Sequence, residues 1–184
     1  LEATGKLNGL PAEVKVSEPV RGAGKRVVSA RLKLDDKARN QLAPGLKDIV
    51  KGVVSVEVNG AADGSQSISA DLKNASLNLP WAGWSKGNGV AATAEMRIKR
   101  NGGSISIDGF ELKGGTFRMA GSMSLAGNTL TKANFSSVRL NRGDEAAVTA
   151  NAAGIGYYRV AYAPALFTAL STRFAALDPA DQLT

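Results

Sequence analysis

The chain contains no histidine and no cysteine. The first absence removes the Ser-His-Asp triad, the commonest general base and the usual zinc ligand. The second removes disulfide and thiolate chemistry, and it is compatible with any redox compartment. Aromatic residues are scarce at 5%, so a core has to be assembled from Val, Ile, Leu and Ala. No apolar run approaches the ~20 residues of a membrane-spanning helix, and no secretory leader pattern is visible. Carboxylate-only or lysine-based catalysis stays formally open, but no residue pattern points to it. The chain reads as non-enzymatic, with neither metal nor cofactor.

What is present is glycine and alternation. The 184 residues include 21 glycines, in pairs and at punctuating positions, which suits many short turns in one domain or one domain with a fragment attached. The net charge is +7; residues 1–60 hold 11 basic and 7 acidic side chains and the remainder 12 and 9, so the excess is spread along the chain. Diffuse positive charge mildly favours anionic surfaces such as lipid headgroups or nucleic acid, although an ordinary solvated surface is the commoner reading of such charge. No basic patch calls for nucleic acid. The sequence opens on Leu1 and ends at Thr184 soon after a helix-start signal, which reads as a piece of something larger.

Taken in order, strand follows strand. Ala12, Val14 and Val16 alternate with polar neighbours, RGAGK (21–25) makes a loop without the Ser/Thr of a P-loop, and Val28 to Leu34 alternates again. Asp35 or Asp36 can cap a short helix, Pro44-Gly45 breaks it, and Leu46, Ile49 and Val50 suggest one more turn, giving helix near 36–50. Val54, Val56 and Val58 share one strand face. Asp71 to Leu79 reads as an alternating strand that buries Leu77 and Leu79, and Pro80 ends its ladder. Trp81 and Trp84, the only tryptophans, form a corner, and as corner anchors they plug the sheet or sit at an interface. A strand from Val90 then places Ala92, Ala94, Met96 and Ile98 on one face. Asn101-Gly102 is a hairpin signal before Ile105 and Ile107. Phe117, Met119 and Met123 follow on a strand interrupted by Gly121, and Leu130 to Leu140 and Ala146 to Ala150 complete the series.

Ten or more strands joined by short turns argue for successive antiparallel hairpins, in a curved, extended or sandwich-like sheet. At ~4.8 Å per strand, ten strands extend about 48 Å. An apolar face of that size folds over itself, packs on another layer, or holds something apolar. Periodicity alone favours a sandwich or barrel whose apolar faces pack together over an open groove, without deciding between them.

The stretch DLKNASLNLPWAGWSK (71–86) resembles the C-terminal region of AsmA-like, YhdP-type envelope proteins of Gram-negative bacteria, where a "DL.nA.l.lP..gW.K..G" segment precedes an alternating strand. The likeness extends upstream through Leu32 to Gly60 and downstream through FELKGGTFRMAGSMSL to VRLNRGDEAAVTA, and so covers about residues 1–150. It implies a periplasmic protein, tethered to the inner membrane by sequence outside this chain, with an apolar groove for phospholipids passing toward the outer membrane. On that implication the groove lining comprises Val54, Val56, Val58, Leu77, Leu79 and Val90, then Ala92, Ala94, Met96, Ile98, Ile105 and Ile107, and finally Phe117, Met119 and Met123. The implied partners are acyl chains.

Residues 151–184 differ in character. Tyr157, Tyr158 and Tyr162 cluster there, and Leu166, Phe167, Leu170, Phe174 and Leu177 repeat at helical spacing after Pro164, predicting a helix near 164–177. This segment is similar to the piece joining β-sandwich and helical domain in zinc aminopeptidases of the aminopeptidase N class. Their HExxH motif is impossible without histidine, so no catalytic role carries over. The alternatives to a lipid conduit are therefore a non-catalytic structural region of an aminopeptidase N-like protein, or a plain β-sandwich interaction domain. An outer-membrane barrel ranks last, since aromatic girdles are missing.

Overall fold

The computed structural model describes residues 2–7, 10–17, 27–127, 129–143, 145–151 and 154–162. The elements are β1 (Glu2–Leu7), β2 (Leu10–Ser17), β3 (Val27–Leu34), α1 (Asp36–Leu42), β4 (Val50–Gly52), β5 (Val54–Gly60), β6 (Gln66–Asp71) and β7 (Ala75–Leu79). After them come β8 (Trp84–Lys86), β9 (Ala92–Asn101), β10 (Ser104–Gly114), β11 (Arg118–Ala126), β12 (Thr129–Arg139), β13 (Glu145–Asn151) and β14 (Gly154–Tyr162). The expected loop 21–25 and helix 164–177 lie outside the described residues.

Eleven strands form one antiparallel sheet in the order β1-β2-β3-β5-β6-β9-β10-β11-β12-β13-β14. The order follows the chain, as short turns dictate, with two interruptions. One insertion between β3 and β5 carries α1 and β4; another between β6 and β9 carries β7 and β8. The inserted strands pair with one another as a second sheet, β4-β7-β8. The large sheet is open, because β1 and β14 are its two edges and do not meet. Strand β14, which falls inside the C-terminal segment 151–184, pairs along β13 as the last strand of this sheet.

Three sequence readings change. The helix near 36–50 is α1 alone, capped by Asp35, whose Oδ1 accepts from the Ala38 N–H at 2.8 Å. Pro44–Leu46 forms a 3₁₀ turn, and Val50, expected in a second helical turn, begins β4 opposite Leu77. Asp71 to Leu79 is two strands. Asp71 Oδ1 accepts from the Lys73 N–H at 2.9 Å and the Ala75 N–H bonds Leu72 O at 3.1 Å, so the chain turns and crosses from one sheet to the other. The strand expected from Val90 begins at Ala92, because the Gly89 N–H is taken by Lys73 O at 2.8 Å.

β-Bulges keep the apolar face continuous. Ile107 and Phe110 are three residues apart, a spacing that would put them on opposite faces of a regular strand. The register of β10 shifts between them, where Gly109 adopts φ +58°, and both remain on one face. The same device operates on β12, where the register shifts between Phe135 and Val138. Gly121 is explained by close approach: a Cβ there would lie 2.2 Å from Asn134 O and 2.7 Å from the Cα of Phe135.

Candidate functional site

The register resolves the large sheet into apolar rows running across the strands. One row passes through Ala12, Leu32, Val56, Ala70, Ala94, Leu112, Met119, Val138 and Ala146. The small sheet lies over this end of the strands, and all of these residues are buried except Val56, which is partly so. Next to them, α1 packs Ala38 against Leu32 and Leu34. Moving away from the cap, Val14, Ala30, Val58, Ile68 and Met96 align, with Phe110 and Phe135 on the far strands. A third row holds Ile98, Ile107, Met123 and Ala133. In these two rows most side chains are only half-buried. The outcome is one apolar face, covered at one end of its strands and uncovered at the other.

The cap owes its hold to aromatic packing and to two buried cations. Trp84 is 8% exposed and meets Phe117 edge-on, ring centroids 4.8 Å apart. Lys86 points inward on β8 beside it. Its Nζ donates to Leu72 O (2.9 Å), Ala75 O (2.6 Å) and Gly87 O (3.1 Å), closing the turn that carries the chain between the sheets. Arg39 reaches from α1 to Gly52 O at 2.7 Å and Val50 O at 2.5 Å, and pairs with Asp36. That hydrogen bond, followed by the Gly52 N–H, holds the Asp36 carboxyl below its usual range. Sequence reading missed both cations, since Lys and Arg count as solvent residues. The available signal was position: Lys86 falls two residues after buried Trp84 on one strand.

Burial lowers the pKa of Lys86 from its ordinary 10.5, with nearby Asp71 opposing. The folded chain then releases this proton at lower pH than the unfolded chain. Between the two values the unfolded state binds more protons, so this group makes stability rise with pH across that window. Lys86→Met is expected to lower the unfolding free energy by about 1–3 kcal/mol at neutral pH, through lost donors to buried carbonyls. It should also flatten the alkaline rise. Urea titrations at neutral and alkaline pH check both, and equal alkaline slopes in the two proteins would contradict the assignment.

The expected lining residues divide into sets. Val58, Met96, Ile98, Ile105, Ile107 and Met123 lie together on the uncovered part of the sheet face, and Val56 sits in the covered row, all half-buried. Val54, Ala92, Ala94, Phe117 and Met119 lie beneath the cap. Leu77 and Leu79 belong to the cap itself, and Val90 is 48% exposed in the turn before β9. Trp84 is a core anchor; the Trp81 side chain lies outside the description. Ile68, Phe110 and Phe135 join the uncovered rows although the sequence did not single them out as lining. Phe135 was hidden by its bulge, which breaks simple alternation.

The opposite face of the large sheet is polar, with a shallow open hollow bordered by Asn59, Ser67, Ser69, Glu95, Arg97 and Asp108. Among the described residues, no group of three or more acidic side chains is placed to hold a metal ion, and no helix is long and apolar enough to cross a membrane. Near the cap, exposed arginines have carboxylate partners, Arg118 with Glu111 (3.0 Å) and Arg139 with Glu145 (3.7 Å). Compared with models of protein families, with curated proteins and with solved structures, the chain shows no match.

Proposed function

We propose that this chain is a non-enzymatic segment of an AsmA-like envelope protein, sheltering phospholipid acyl chains on an apolar β-sheet face as they cross the periplasm between inner and outer membranes. The observation that carries the reading is the partly covered apolar face. A self-contained sandwich requires a second layer over the whole face, whereas strands of three to five residues cover one end of it. The remaining rows of Val, Ile, Met and Phe offer shelter without directional demands, and methionine adapts to chains of varied shape. Removing hydrocarbon from water is worth ~0.8 kcal/mol per CH₂, so a continuous dry path supplies what transfer needs without chemistry. Attachment to the inner membrane is assigned to sequence outside this chain.

The test is direct. The full chain, purified without detergent from a Gram-negative host, is expected to carry phospholipid detectable by mass spectrometry of an organic extract. Lipid-free protein that takes up no labelled phospholipid when offered it would end the reading.

A further inference from the structure

Strand β9 carries an irregularity at the uncovered end of the apolar face. Ala92, Ala94, Met96 and Ile98 alternate on that face, and the next residue in the series is Arg100. Its position is set by register: Ile98 pairs with Ile107 and Arg100 with Ile105, so the arginine occupies an outer row whose other members are Ile105, Leu125 and Leu130. The neighbouring cations Arg97 and Lys99 fall on the opposite, polar face of the same strand. Gln66 sits on the adjacent strand opposite Ile98, as a second polar group at this mouth of the apolar face. Unlike Arg118 and Arg139, Arg100 has no carboxylate within ion-pairing distance among the described residues.

An exposed arginine at a strand end commonly lays its stem over apolar neighbours and leaves its head in water. The apolar row beside it gives this one a further capacity. A guanidinium presents donors in a planar fork that matches a phosphate, and its weak hydration makes it the preferred partner where one side of the site is dry. An apolar trough whose surface carries, among the described residues, one unpaired cation complements an amphiphile that has one anionic group and long hydrocarbon chains.

Building on the lipid-sheltering function, we infer that Arg100 binds the headgroup and that the occupant is an anionic phospholipid. Its phosphodiester lies against the Arg100 guanidinium, with Gln66 beside it, and its chains run along the row of Ile98, Ile107 and Met123.

The test titrates the full chain with fluorescently labelled phosphatidylglycerol and with diacylglycerol bearing the same chains and no phosphate. The wild-type protein is expected to prefer phosphatidylglycerol. Arg100→Gln, which keeps a polar stem, should weaken phosphatidylglycerol binding by about tenfold, the scale of one charge-assisted contact, and leave diacylglycerol within about twofold. Arg100→Lys should recover part of the loss, and Arg118→Gln, at the capped end, should change neither lipid. Equal wild-type affinity for the two lipids, or equal weakening of both by Arg100→Gln, overturns the headgroup assignment while the trough itself stands. Failure of the wild-type chain to bind either lipid overturns both.

Discussion

Trp84→Ala is expected to lower the unfolding free energy by about 3–5 kcal/mol, the range for removing a large aromatic from a packed core. The side chain is 8% exposed and is, among the described residues, the largest group joining the small sheet to the large one. Phe117→Ala should cost a comparable amount, because the two rings pack edge to face at 4.8 Å. In the double variant the losses should fall short of additive by about 0.5–1.5 kcal/mol, the coupling typical of aromatic pairs. Urea unfolding of the four proteins gives all three quantities. A loss below about 1 kcal/mol for Trp84→Ala would mean that the cap is surface decoration, since substitutions outside a core usually stay in that range.

The second large effect concerns binding. Ile107→Asp, or separately Met123→Asp, is expected to reduce co-purifying phospholipid more than tenfold, because hydrocarbon packed on an unpaired carboxylate buries a charge at a cost of several kcal/mol. These residues face each other across β10 and β11 and are half-buried, so stability should change by only about 1–2 kcal/mol. Ser106→Asp, one residue away on the polar face of β10, should leave lipid content unchanged. Mass spectrometry of extracts from matched protein amounts decides the matter. Lipid retained at the wild-type level in both trough variants would place the binding surface elsewhere.

Electrostatic ties play a smaller part. Arg31 and Glu57 pair at 3.0 Å across β3 and β5, and this contact holds the Glu57 carboxyl below its usual range. Both side chains are well exposed, so water and salt screen the pair and the fold does not depend on it. The buried cations differ. Lys86 and Arg39 satisfy backbone carbonyls at the points where the chain leaves the large sheet and rejoins it. Removing such a donor leaves buried acceptors without a partner, which costs more than a surface ion pair contributes.

Much of the strand content was legible. Val28 to Leu34, Val54 to Val58 and Ala92 to Ile98 alternate cleanly, and each is a strand of the large sheet. Asn101-Gly102 forms the predicted hairpin, with Gly102 at φ +57°. Leu77 and Leu79 alternate just as cleanly, yet they sit on the cap instead of the face it covers. Alternation states that one side of a strand is apolar; it does not state which sheet the strand joins. Phe110 and Phe135 break the period of two, and only a bulge in register with a neighbouring strand returns them to the common face.

Period-two alternation, helix capping at Asp35 and turn chemistry are properties of a few consecutive residues, so the amino-acid sequence determined them without reference to the rest of the chain. Which rows were covered depended on pairings between distant segments, β4 with β7 across 25 residues among them. Those pairings are selected by the packing of many side chains at once, in which a misplaced bulge turns a whole strand inside out. Tertiary structure therefore decided that part of the apolar face was closed beneath Trp84 and Phe117, and that the remainder, ending at Arg100, was left uncovered.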